Sequence, residues 1–288
     1  MITETQETHQ SARTRFTIEA KGVRYAYRRF GKETGVPLLF LQHFLGTMDN
    51  WDPAVTDGLA ENRPIILFDS AGIGRSGGRT PDSVAEMSRH ARAFVDLLGL
   101  TNVDLLGFSL GGFVAQQIAL DRPSLVRKMI LAGTAPEGGE GLAPFSSEVQ
   151  AILARVKDNQ SFGEAVLKLF FASTDTSQAA GRAFLERLGA RSEDREPPSG
   201  DQIARAQLAA IQTWATSNGN RFARLREIKQ PVLVVNGSND IMVPTVNSFH
   251  LAQNLPKALL IVYPNAGHGS QFQYPELFVE HATRFLDE

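Results

Sequence analysis

Two rhythms of apolar residues alternate along this chain. The first is a set of short, nearly unbroken apolar runs at residues 38–42, 64–68, 126–132, 231–236 and 258–263, with another beginning at 103. Runs of this length, bounded by turn residues, fit strands buried on both faces of a parallel sheet. The second rhythm has helical spacing. It predicts helices over residues 82–98, where Pro81 and Asp82 open the segment and Gly99 closes it, and over 245–255 and 275–286. Residues 16–20 and 23–30 read as two further strands joined around Lys21 and Gly22, and residues 43–53 as a loop. Strands alternating with helices predict an α/β fold with a mostly parallel sheet and helices on both sides.

The rhythm changes in the middle. From residue 135 to 228 the strand pattern vanishes, and helical spacing recurs over 147–157, 162–172, 179–188 and 202–216. Residues 191–201 are polar and contain Pro and Gly, which predicts an exposed loop. The expected organisation is an α/β core over residues 15–134 and 229–288 with a helical cap at 135–228 inserted into it. Residues 1–14, polar and rich in Thr, Gln and Glu, are expected to form a flexible tail.

Composition narrows the partners. A length of 288 residues with 42% hydrophobic residues supports a large core. The formal net charge of −2 comes without a single-sign block, which argues against nucleic acid or an anionic membrane as partner. The absence of cysteine removes disulfides, thiolate nucleophiles and cysteine-ligated metals. The N-terminus lacks the apolar segment of a signal peptide, and no run approaches the ~18 apolar residues of a membrane span. A soluble cytoplasmic protein, monomer or homodimer, is the expectation.

Chemistry concentrates at Gly107-Phe108-Ser109-Leu110-Gly111. This fits G-x-S-x-G, and it stands between an apolar run and a helical stretch. That context defines a nucleophile elbow, a sharp strand-to-helix turn that lifts a serine hydroxyl above the sheet edge. Glycines on either side let strand and helix approach closely, and the helix N-terminus favours negative charge beside the hydroxyl. The bland alternative is a Gly-rich turn with an incidental serine.

A serine hydroxyl needs a base, and the base needs a carboxylate to hold its tautomer. On a sheet of this kind the order is serine, acid, histidine. Asp240 follows the 231–236 run, and His268 follows the 258–263 run. All three candidates therefore emerge at the ends of strands on one edge, where open α/β sheets bind ligands. Asp240 could instead cap the next turn, and His268 could be a loop residue between two glycines. Glu137 is the nearest rival acid. His90, His250 and His281 lie in predicted helices, and His9 lies in the tail. The Leu110 N–H, next to the nucleophile, supplies one oxyanion donor. A second is expected from the loop after residues 38–42.

With these motifs in place, the chain resembles the α/β-hydrolase family from about residue 16 to its C-terminus. Relatives carry a His-Gly-aromatic run followed by Trp-Asp. Here Gln42-His43-Phe44-Leu45-Gly46 precedes Trp51-Asp52. Counting back from Trp51 sets His43 on the family glycine and Phe44 on the aromatic. The resemblance thus implies Phe44 N–H as the second oxyanion donor and brings an imidazole near the pocket at His43. The turn from Asp69 to Ser76 also matches the family's spacing and is not a dinucleotide fingerprint.

Serine at 109 sets the chain apart from relatives that use aspartate there, the haloalkane dehalogenases and epoxide hydrolases. The runs Gly-Phe-Ser-Leu-Gly-Gly and Leu-Ala-Gly-Thr-Ala-Pro are similar to those of enol-lactonases and haloperoxidase-like esterases. The implied activity is hydrolysis of a small to medium carboxylic ester or lactone through an acyl-enzyme, with no metal or organic cofactor. Carbon–carbon bond hydrolysis of ring-cleavage products, perhydrolase or haloperoxidase-like activity, and a ligand receptor on a hydrolase scaffold stay open as alternatives. Expected substrate contacts are His43, Leu45, Trp214, Ile241 and Met242. The cap aromatics Phe145, Phe170 and Phe171 read mainly as packing residues.

Overall fold

The computed structural model describes residues 7–18, 22–156, 159–216 and 222–288. The expected turn at Lys21, the end of the 147–157 helix and the first six residues of the expected tail lie outside them. An eight-stranded sheet runs in the order β1-β2-β4-β3-β5-β6-β7-β8. The strands are β1 (Arg15–Phe16), β2 (Ala26–Gly31), β3 (Leu38–Leu41), β4 (Pro64–Phe68), β5 (Val103–Phe108), β6 (Val126–Ala132), β7 (Val232–Gly237) and β8 (Ala258–Tyr263). β2 pairs antiparallel with β1 and β4, and every pairing from β4 to β8 is parallel. Every residue of β3, β4, β5 and β7 is buried, which is why these strands read as unbroken apolar runs. β8 lies at the sheet edge and exposes Leu259 and Val262.

The helices are α1 (Pro53–Ala60), α2 (Val84–Leu97), α3 (Leu110–Asp121), α4 (Ser147–Leu153), α5 (Asn159–Phe170), α6 (Asp175–Gly189), α7 (Asp201–Ala215), α8 (Val246–Asn254), α9 (Ser270–Gln273) and α10 (Pro275–Asp287). Pattern missed two of them. α1 follows the expected loop, and the Asp52 side chain caps it by accepting the Ala54 N–H at 3.0 Å. α9 is a single turn after His268. α2 begins two residues later than its composition suggests, because Ser83 caps it through the Glu86 N–H.

Helices α4–α7 lie between β6 and β7 in the chain. They tie into the sheet rim at several points. The Leu169 and Phe170 carbonyls at the end of α5 accept the N–H groups of His268 and Gly269 at 3.2 and 2.9 Å. Gln207 of α7 accepts the Leu45 N–H at 2.7 Å. Arg187 of α6 holds Asp52 with two hydrogen bonds, of 2.8 and 2.6 Å.

One expectation for a polar segment does not hold, and a second holds only in part. Residues 7–14 are not a loose tail: His9 and Ala12 are buried, and the Arg191 guanidinium donates to the carbonyls of His9, Gln10 and Ala12 at 2.7–2.9 Å. The 191–201 segment is the expected loop and most of its residues are exposed, but two of them are anchored. Arg191 and Glu196 are buried, and Glu196 N–H donates to Asp49 at 2.6 Å. The reason is the same in both cases. Their polar groups satisfy one another out of solvent, so polarity there does not report exposure.

Around this junction Arg28 is fully buried. It pairs with Asp49 and lies 3.6 Å from Glu196. Arg75 pairs with Asp194 and Glu196, each at 2.7 Å, and Arg191 approaches Asp194 at 3.3 Å and Asp49 at 3.8 Å. Asp69 completes the group, its Oδ1 accepting the Met48 N–H at 2.8 Å. Burial, reinforced by the Glu196 carboxylate, pushes the Asp69 carboxyl well above the ordinary range.

Candidate active site

β5 ends at Phe108, and α3 begins at Leu110, so the whole turn between them is Ser109. Its backbone sits at φ 56° and ψ −119°, a conformation that costs a non-glycine residue on the order of 1–3 kcal/mol. The surroundings over-determine it. Ser109 N–H donates to Ala132 O at 2.9 Å, and Ser109 O accepts from Thr134 Oγ1 and from Gly112 N–H, each at 2.8 Å. A Cβ on Gly111 would run into the Leu41 carbonyl, and one on Gly107 into the Gly111 backbone. The close approach of α3 to β3 and β5 therefore requires glycine at both places.

The registers Leu41↔Gly107, Phe108↔Ala132, Ala132↔Val235 and Gly237↔Tyr263 bring the C-terminal ends of five strands to one rim. Two loops beyond that rim meet. His268 Nδ1 is 2.7 Å from Asp240 Oδ2, and both side chains are buried. Asp240 Oδ1 accepts the N–H groups of Met242 and Val243 at 2.8 and 2.9 Å, which pins the carboxylate. A carboxylate accepts, so Nδ1 of the neutral ring carries the proton and Nε2 keeps a lone pair. His268 Nε2 is buried and has no hydrogen-bond partner. Its ring lies 4.9 Å from that of Phe108, the residue before the serine, and 5.5 Å from that of Phe170.

The other candidates are held in other roles. Glu137 pairs with Arg224 at 2.6 Å. His90 meets the Tyr25 hydroxyl, His250 the Glu140 carboxylate and His281 the Tyr263 hydroxyl. His9 bonds Thr56.

The loop after β3, where a second donor is expected, is braced by its own side chains. Gln42 spans it, donating to Thr47 O at 2.7 Å and accepting the His43 N–H at 2.8 Å. Among the described residues, the N–H groups of Phe44 and Leu110 have no hydrogen-bond partner. Leu45 adopts φ 63°, the left-handed region. His43 packs edge-on against Phe108 and Phe170, with ring centroids 5.2 and 5.4 Å away. Burial, aided by the nearby His268, lowers its pKa to about 4 against the opposing pull of its bond to Phe44 O. Nδ1 donates that 2.8 Å bond, which leaves Nε2 as the acceptor.

A cavity of about 50 Å³ opens beside these loops, and His43, Gln207, Leu110 and Gly111 help line it. Leu45, Trp214, Ile241 and Met242 do not. Trp214 instead stacks on Phe113 with centroids 5.2 Å apart and donates to Ala135 O at 3.3 Å. Gln207 had no signal in the sequence, since a glutamine within an amphipathic helix is indistinguishable from a surface residue.

The α/β hydrolase fold family model matches residues 36–275, and the chain belongs to that family. An α/β hydrolase fold protein from Chitinophaga pinensis superposes with a TM-score of 0.92 at 43% identity, over 98% of this chain and 100% of that one. A sequence relative from Pseudomonas savastanoi pv. phaseolicola, named "Putative carbamate hydrolase RutD", is 29% identical over 261 residues, 87% of this chain and 94% of its own. The pimeloyl-[acyl-carrier protein] methyl ester esterase of Nitrosomonas europaea is 27% identical over 245 residues, 80% of this chain and 87% of its own. These relatives are hydrolases by name, and this chain is an enzyme of the same family. Among the described residues no helix is long and apolar enough to cross a membrane.

Proposed function

We propose that this enzyme is a serine hydrolase that cleaves a carboxylic ester or lactone through an acyl-enzyme, with Ser109 as nucleophile, His268 as base and Asp240 as its orienting carboxylate. The observation that carries the reading is the buried, tautomer-defined His268–Asp240 pair, whose Nε2 has no partner, beside a serine held in a strained elbow. Ser109 Oγ attacks the carbonyl carbon while His268 Nε2 takes its proton. The developing oxyanion accepts from the N–H groups of Leu110 and Phe44, each such donor contributing about 3 kcal/mol. His268 then protonates the departing alkoxide, and later draws a proton from the water that releases the acid. Protein groups alone supply every step. Residues 135–228 act as the cap that roofs this site, and the substrate is a small molecule.

Named relatives support the ester reading, the methyl ester esterase among them, and a solved structure described as an N-acyl homoserine lactone degrading enzyme is 26% identical with a TM-score of 0.71. Another relative, from Burkholderia cepacia, is named 2-hydroxy-6-oxo-6-phenylhexa-2,4-dienoate hydrolase, at 27% identity. The assay therefore compares p-nitrophenyl butyrate, a lactone, a carbamate and a vinylogous diketone. Ser109→Ala is expected to lower kcat by about a million-fold, the loss seen for the nucleophile in subtilisin, with the melting temperature retained. A fluorophosphonate is expected to add once, at Ser109. Near-normal turnover in the alanine variant, or labelling elsewhere, overturns the assignment.

A further inference from the structure

The cavity beside the loop after β3 does more than mark the site. Ser109, His268 and Asp240 are not among its lining residues, whereas Leu110 and His43 are. It therefore lies beside Leu110, one of the two proposed oxyanion donors, and away from the His268 imidazole. The two substituents of a scissile ester have different needs. The alcohol must leave near the group that protonates it, His268 Nε2. The acyl part stays bonded to Ser109 through both half-reactions and gains from an apolar recess next to the oxyanion. Gln42, His43, Asp69, Ser70, Thr80 and Gln207 give the cavity a polar part, and an apolar part suits the second role: Phe68 from β4, Ile73 from the turn after it, Met87 and Ala91 from α2, and Val114 one turn into α3. All five are at least nine-tenths buried.

We propose that this cavity is the acyl pocket and that it selects short acyl chains, with Met87 and Ala91 setting the limit. The proposal rests on Ser109 as the nucleophile. Size gives the class of substrate. A water-sized group occupies roughly 10–15 Å³ by the same measure, so about 50 Å³ admits roughly three to five heavy atoms beyond the carbonyl. Met87 and Ala91 lie one helical turn apart on α2, where a change in side-chain length alters the pocket's depth and touches none of the proposed catalytic groups.

The test is the chain-length profile of kcat/KM on p-nitrophenyl acetate, butyrate, hexanoate and octanoate. The native enzyme is expected to lose at least about tenfold between butyrate and octanoate, since misfit by single methylenes costs ten-fold or more in a closed apolar pocket. Met87→Ala is expected to raise the octanoate-to-acetate ratio by about tenfold, and Ala91→Phe to lower the butyrate-to-acetate ratio by a similar factor. Fluorophosphonate labelling of each protein shows that the nucleophile is assembled. Labelled variants whose ratios match the native enzyme overturn the pocket and leave the serine assignment standing. A native enzyme that handles octanoate as well as butyrate does the same. A native enzyme that takes no label at Ser109 overturns both.

Discussion

At the strand rim, Asp240 and His268 form a buried pair that leaves one ring nitrogen without a partner; around Arg28, on the β2–β4 side of the sheet, charges gather in larger number, some buried and some partly exposed. There Arg28, Arg75 and Arg191 face Asp49, Asp194 and Glu196, with Asp69 as a fourth acid. Burial and the neighbouring Glu196 carboxylate raise the Asp69 pKa, which favours the protonated carboxyl over a fourth negative charge. The same material thus serves two ends. A larger cluster of mostly paired charges joins residues 9–15, β2, the loops after β3 and β4, and the α6–α7 connection. The pair at the rim leaves His268 Nε2 without a hydrogen-bond partner, which fits the proposed role as base. The Asp240–His268 pair is buried whole, whereas the Arg28 cluster reaches solvent through Arg75 and Asp194.

The sharpest way to break the contrast is Asp240→Asn. The amide would present N–H toward Nδ1 and enforce the wrong tautomer, so kcat is expected to fall about 10⁴-fold with the fold intact. A loss under tenfold in ester hydrolysis would mean that Asp240 does not orient the base. Arg28→Met should instead act on stability. Removing one partner of a buried pair strands its carboxylates, at about 3–5 kcal/mol in urea unfolding. A cost below ~1 kcal/mol would show that the cluster holds nothing together.

Acid provides the next test. Burial and the Arg28 charge hold the His9 pKa down to about 3, from 6.5 in the unfolded chain. Between these values the unfolded state binds more protons, so His9 makes stability fall as pH drops from 6.5 toward 3. His9→Gln should flatten that fall, gaining roughly 3 kcal/mol on the native protein between pH 7 and pH 4. Asp69, raised and not lowered, works with the opposite sign, and it is common to both proteins. Parallel stability curves would contradict the buried neutral histidine. The smallest effect belongs to Asp69→Asn. An amide reproduces a protonated carboxyl, accepting from Met48 N–H and donating to Glu196, so the expected cost is below about 1 kcal/mol. A loss near 3 kcal/mol would show that Asp69 is ionised.

Legibility followed the range of the interactions. The strands at 126–132 and 258–263 stand where the sequence placed them, although β8, at the sheet edge, is only partly buried. The elbow was legible because strand, glycines, serine and helix fall within a short stretch. The polar segments were not. Thr14, Arg75 and Glu196 look solvent-directed in isolation, and they meet only because Arg75 and Glu196, 121 positions apart in sequence, are folded together. Trp214 misled for a related reason. An aromatic on an amphipathic helix can face either a pocket or the core, and here it stacks on Phe113.

By itself, the sequence determined the alternation of strands and helices, the strained serine turn, and the order in which a carboxylate and a histidine follow later strands. These are set by nearest neighbours along the chain: side-chain periodicity, glycine's missing Cβ, and loops that begin where apolar runs stop. Tertiary structure decided which polar groups are dry, which ring nitrogen lacks a partner, and how much room lies beside Leu110. Those properties depend on summed burial and on partners far away in sequence, and no local pattern encodes a sum over the whole fold.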